Sequence, residues 1–149
     1  MAIESVAFAI PLLLFGAVLG GYSAAVTPSP IESLGIFEKI AVSIGAGLYE
    51  ELIFRMIIIG LVHTIVCSFF KRSELTGLGI GVLISALLFA LYHDLPNTGN
   101  EGQALIIFFF FIAGVYLAFL YVIRGFGIAA GTHAAYDVVA TTLLVSLAQ

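Results

Sequence analysis

The sequence predicts an all-α, multi-pass transmembrane helical bundle forming a single domain over residues 1–149. Three observations carry that expectation. The chain is 62% hydrophobic and only 9% charged over 149 residues, and its mean hydropathy is +1.20, whereas soluble domains run near half apolar and a quarter charged. Apolar stretches recur at lengths matching the ~20 helical residues that cross a bilayer core. No alternation of period two appears, and a membrane admits only helices or closed barrels.

About five membrane segments can be drawn. The first runs from Ile3 to Val26 and is ended by Thr27-Pro-Ser-Pro30, which cannot continue a helix. It lacks a charged leading region and a small-residue cleavage site, so residues 1–30 are read as an additional, retained N-terminal span. The second, Ile36 to Phe70, is too long for one perpendicular crossing. It is expected to begin amphipathically with Glu38 and Lys39 and to end at Lys71-Arg72-Ser-Glu74. The third covers Leu75 to His93, before the turn-rich stretch Asp94 to Gly102. The fourth spans Gln103 to Ile123 and contains four successive phenylalanines, 108–111. After the connector Arg124-Gly-Phe-Gly127 the fifth continues to Leu147.

Composition also excludes function classes. The net charge of −4 comes from few, scattered groups, and nothing basic or repetitive points to nucleic acid. Cys67 is the single cysteine, so neither an internal disulfide nor a thiolate metal site is available. The expected surroundings are the lipid bilayer, of the cell membrane by expectation.

The informative residues are the polar ones inside these apolar runs. Glu50-Glu51-Leu-Ile-Phe-Arg55 sits between Ile40–Tyr49 and Met56–Val62. A charge at the bilayer centre costs at least ~2.5–3.5 kcal/mol on insertion scales, so three together need a reason. Residues four apart share a helix face, which pairs Glu51 with Arg55, Phe89 with His93, and His133 with Asp137. Glu50 lies about 100° around the helix from Glu51 and needs a partner from another helix. The small residues Gly45, Ala46 and Gly47 would let one approach. Glu51–Arg55 reads as scaffold and His63 as a packing or interface residue. Asp94 reads as a helix-end group, and Tyr92 and Tyr136 as either site hydroxyls or packing aromatics.

Glu50, His93, His133 and Asp137 are expected to converge, because unpaired groups of this kind are disfavoured in lipid. A carboxylate and a histidine holding one water form a general-base arrangement. A second histidine with a carboxyl group can donate to an oxyanion. No Gly-x-Ser-x-Gly elbow or Cys–His pair is present, so water is the natural attacker and no cofactor is required. A zinc site is the alternative, with Glu50, His93 and His133 as ligands, although no His-Glu-x-x-His occurs.

Taken in order, Glu-Glu-x-x-x-Arg, Phe-x-x-x-His and His-x-x-x-Asp resemble the signature of the CPBP family of intramembrane endopeptidases. That family comprises CAAX proteases and bacteriocin-processing enzymes, also called Abi, and includes the type II CAAX prenyl endopeptidase. The resemblance covers residues 41–142 as a catalytic core. It implies hydrolysis of a peptide bond near the membrane surface, at a prenylated CAAX-type C-terminus or a leader-peptide junction. It further implies that Glu50 and His93 activate the water and that His133 and position 137 form the oxyanion side. Glu51, Arg55 and Phe89 would support the site. Asp137 stands where the prenyl endopeptidase typically has Asn. A carboxyl group donates only when protonated, so Asp137 is protonated, orients His133 as an acceptor, or ligates a metal.

Two other classes use the same groups. A proton or ion transporter would carry charge through them, but inverted repeats and paired broken helices are not evident. A non-catalytic membrane partner, such as an immunity factor, would keep them as scaffold. Straight alternating spans leave one geometric difficulty: His133 falls toward the face opposite Glu50 and His93. Convergence then needs strong tilt or a non-helical dip through Gly125–Gly131.

Overall fold

The computed structural model describes residues 1–19, 34–93 and 99–144. Among them the chain is all-helical, with five helices and no strands. These are α1 (Ala2–Val18), α2 (Ile36–Phe69), α3 (Glu74–Tyr92), α4 (Gly99–Arg124) and α5 (Phe126–Val139, continued by the π-helical stretch Ala140–Leu144). Three of them, α2, α3 and residues 101–124 of α4, are long and apolar enough to cross a membrane, and α1 is a shorter apolar helix.

Local chemistry explains most boundaries. Glu38 reaches back to the amide of Gly35 at 2.9 Å, closing the first turn of α2. Ser73 caps α3 by accepting from the Thr76 amide at 3.3 Å. Gly125, at φ 86°, is the hinge between α4 and α5, a conformation that glycine adopts without steric penalty.

The first segment is helical over Ala2–Val18, and its expected end at Val26 lies outside the described residues. The expected Thr27–Pro30 stop, Asp94 and the end of the fifth segment at Leu147 lie outside the described residues. Two expectations need correction. Gly99–Gly102, expected as turn, forms the first turn of α4, where Glu101 suits the positive helix end. The connector is the single residue Gly125. The stretch from Phe126 to Gly131 is helical, so there is no dip.

The convergence problem is solved by the length of α2, whose 34 residues serve two partners in succession. Along its second half α3 runs antiparallel. A Cβ added at Gly77 would meet Cys67 and His63, one at Gly81 would meet Ile59, and Ser85 donates to the Phe54 carbonyl at 2.6 Å. Along its first half α5 runs antiparallel instead. Ser43 bonds Thr141 at 3.1 Å, Gly47 lies against Ala134, and Glu51 meets His133. His133 is only two turns into α5, so α5 starts beside the middle of α2 rather than at its far end. Glu50 and Glu51 sit at the handover between the two partners, next to the π-helical stretch Leu52–Ile59. Such wide turns are rare in helices and recur at functional sites.

The remaining helices close the bundle. α4 packs against α3, where a Cβ at Gly114 would lie 3.0 Å from the Ala86 Cα. α1 crosses α4 and α5: Tyr116 donates to the Phe8 carbonyl at 2.8 Å, Arg124 pairs with Glu4, and Phe15 stacks on Phe109 at 5.5 Å. Aromatic and small side chains (Phe54, Phe89, Ala90, Phe109, Phe110) fill the interior. Leucines such as Leu83, Leu87 and Leu91 face outward, as a bilayer solvent requires.

Candidate active site

The site is built on one fully buried ion pair. Glu51 and Arg55 share a helix face, and their Oε2 and Nε atoms lie 3.1 Å apart with both side chains inaccessible. The wider π turn still leaves fourth neighbours on one side. The Arg55 guanidinium lies 4.4 Å over the Phe89 ring and reaches the Gly114 carbonyl at 3.4 Å. One cation is thereby wedged among α2, α3 and α4, its charge met by a carboxylate, a ring face and a backbone dipole.

The second oxygen of Glu51 has another duty. Its Oε1 lies 2.9 Å from His133 Nδ1, and a carboxylate only accepts, so Nδ1 carries the hydrogen. That bond fixes the imidazole and leaves its Nε2 3.8 Å from Glu50 Oε2 and 3.6 Å from Asp137 Oδ2. His93 is held by the same logic at the end of α3. Its Nδ1 donates to the Phe89 carbonyl at 2.8 Å, one of the carbonyls a helix end leaves without an intrahelical partner. Its ring stacks on Phe110, with centroids 3.7 Å apart and planes at 25°. His93 Nε2 then lies 3.8 Å from Glu50 Oε2. Two imidazoles, each gripped through Nδ1, present Nε2 to a single carboxylate oxygen. That oxygen is buried and makes no hydrogen bond to the described residues.

Glu50, His93, His133 and Asp137 form the polar side of a cavity of about 160 Å³, and Leu12 and Leu117 contribute to its apolar side. A single water needs only roughly 10–15 Å³ of such space, so the cavity has room for a segment of substrate together with water. The hydroxyls in the wall are ordered. Thr141 donates to the Asp137 carbonyl at 2.7 Å, so its bond with Ser43 is donated by Ser43.

The four residues expected to converge do so, with Glu51, Arg55 and Phe89 supporting them from below. Gly47 is the close-approach glycine, since a Cβ there would lie 2.8 Å from the Ala134 amide; Ala46 lines the cavity, and Gly45 faces open space. His63 packs against Gly77 away from the site. Tyr92 is exposed, whereas Tyr136 is buried in the cavity wall. Among the described residues no three His, Cys, Asp or Glu side chains are gathered as a metal-holding group. In the alternative zinc set of Glu50, His93 and His133 the two Nε2 atoms each lie 3.8 Å from Glu50 Oε2, and no step is routed through a metal. Sequence reasoning missed the stacking of Phe110, the carbonyl of Gly114 and the Ser43–Thr141 bond. Phe110 was hidden within a run of identical apolar residues, and a backbone carbonyl leaves no signature in residue type.

Residues 32–139 match the family Rce1-like, described as Type II CAAX prenyl endopeptidase Rce1-like. No curated protein matches the chain, and no solved structure does. The matched range contains both glutamates, both site histidines and Asp137 within apolar helices. The chain belongs to the Rce1-like, type II CAAX prenyl endopeptidase family, an integral membrane family whose general activity is CAAX-type intramembrane proteolysis.

Proposed function

We propose that this protein is an intramembrane endopeptidase that cleaves a prenylated CAAX-type C-terminus by attack of a water activated between Glu50 and His93. The observation that carries this reading is the shared oxygen: Glu50 Oε2 lies 3.8 Å from Nε2 of both His93 and His133, on the wall of one cavity. With Nδ1 of His93 donating to a carbonyl, its Nε2 is an acceptor in the neutral ring. A water there gives one hydrogen bond to Glu50 and one to His93, leaving a lone pair for the scissile carbonyl carbon.

Attack moves a proton from water to Glu50 and forms the C–O bond as the carbonyl becomes an oxyanion. His133, held by Glu51 and flanked by Asp137, carries its positive form among carboxylates and donates from Nε2 to that oxyanion. Collapse breaks the C–N bond, and Glu50 returns its proton to the leaving amine. In this scheme Asp137 is the orienting acceptor for His133 Nε2–H before substrate arrives.

The test is cleavage of a farnesylated peptide with a CAAX terminus by purified protein in lipid nanodiscs, beside an unprenylated leader-junction peptide. Glu50→Gln is expected to lower turnover by ~10²–10⁴-fold, the usual worth of a general base. Turnover at the wild-type rate would remove Glu50 as the base. Activity is expected to survive a chelator. Loss with chelator and restoration by zinc would replace the glutamate–water scheme by a metal one. Preference for the leader peptide would move the substrate class away from prenylated termini.

A further inference from the structure

One polar group in the cavity has no part in the scheme above. Tyr136 lies one helical turn beyond His133, with its ring 6.2 Å from Phe109 and only 7% of the residue exposed. It lines the cavity, and its hydroxyl is buried with no hydrogen-bond partner among the described residues. A buried O–H without a partner costs stability that phenylalanine at the same position would not. Its neighbours make the case sharper. The Ser43 and Thr141 hydroxyls are spent on one another and on the Asp137 carbonyl. The Nδ1 hydrogens of His93 and His133 are spent on Phe89 and Glu51. Glu50 and Asp137 present acceptor oxygens when ionised. A peptide entering this cavity loses the water on its carbonyl oxygens and needs donors in return. Among the hydroxyls of the wall, that of Tyr136 is the donor left over.

We propose that Tyr136 is a substrate-binding residue whose hydroxyl donates a hydrogen bond to a backbone carbonyl oxygen of the peptide held in the cavity. The assignment rests on the proteolytic reading of that cavity, and the test separates the two. Affinity for the farnesylated CAAX peptide is measured by fluorescence anisotropy in nanodiscs, comparing Glu50→Gln with the double variant Glu50→Gln/Tyr136→Phe. Removal of the hydroxyl is expected to weaken binding about 10-fold or more, the loss typical when a buried hydrogen bond to a ligand is deleted. In the active background Tyr136→Phe is expected to lower kcat/KM about 10- to 100-fold while Tm stays level or rises. A structural hydroxyl would give the opposite pattern, a lower Tm with an intact kcat/KM, and that result overturns the proposal. Equal affinities in the two Glu50→Gln backgrounds, or no binding to either, also overturn it. An effect that vanishes when the peptide's terminal carboxylate is amidated overturns the carbonyl as acceptor. Tyr136-dependent binding by a wild type that cleaves nothing would keep the donor and sink the protease.

Discussion

Glu50 and Glu51 are neighbours in sequence and opposites in environment, and the difference predicts how each responds to substitution. Glu51 engages both oxygens, Oε2 in an ion pair with Arg55 at 3.1 Å that is not a hydrogen bond and Oε1 in a hydrogen bond with His133 at 2.9 Å, and is fully enclosed. Breaking a buried pair by removing one partner costs ~3–5 kcal/mol, because the other charge stays buried without compensation. Arg55→Met should therefore lower Tm sharply in detergent or prevent folding, and Glu51→Gln should lower both Tm and activity. Glu50 Oε2 makes no hydrogen bond to the described residues, and its imidazole contacts are long, at 3.8 Å. Glu50→Gln should accordingly leave Tm unchanged or raised while lowering turnover ~10²–10⁴-fold. Thermal melts and peptide cleavage on the same two preparations check the contrast. A matched fall in Tm for both would mean that Glu50 is scaffold as well.

Among the helices, α2 organises the site by changing partners halfway along. Its first half meets α5 through Gly47, where an added Cβ would lie 2.8 Å from the Ala134 amide, closer than real contacts allow. Backbone on both sides cannot yield, so Gly47→Leu should force α5 away and move His133 off Glu51. Gly45→Ala meets nothing within 4 Å and should be neutral or slightly stabilising, since alanine is the better helix former. The two variants differ by position alone, and purification yield with Tm distinguishes them. At the handover, Ser85 donates to the Phe54 carbonyl inside the π stretch, where the helical ladder is irregular. Ser85→Ala should cost about 1 kcal/mol, the net worth of a typical hydrogen bond, read as a lower Tm. It should also perturb kcat, because the same stretch follows directly on Glu50 and Glu51.

For the molecule as a whole, α1 lies outside the matched family range, yet it completes the cavity. Leu12 contributes to the wall, and the helix is tied down by Tyr116, Arg124 and Phe109. Leu12→Trp should fill that side and lower kcat/KM for the prenylated peptide about 10-fold or more by displacing it from the reacting groups. Tm should hold, because the bulk enters existing space. The outward-facing leucines and phenylalanines predict that the protein stays in the membrane pellet through an alkaline wash and is released only by detergent.

Much of this was legible in residue types, because a charge in an apolar run is costly enough to announce itself. The helical class, the Glu51–Arg55 pair and the membership of Glu50, His93, His133 and Asp137 in one constellation follow from 3.6-residue periodicity and the cost of burying charge. What residue types do not encode is relative height. Straight, equal spans set His133 at the wrong level and called for a dip in α5. The structure instead offsets α5 along an over-long α2, held by Gly47 against Ala134 and Ser43 against Thr141. Only tertiary packing decided that Glu51 orients His133, that Phe110 clamps His93, and that the Tyr136 hydroxyl is enclosed in the cavity wall. Periodicity specifies which face a residue occupies, whereas the axial offset between helices arises from side-chain contacts between distant segments.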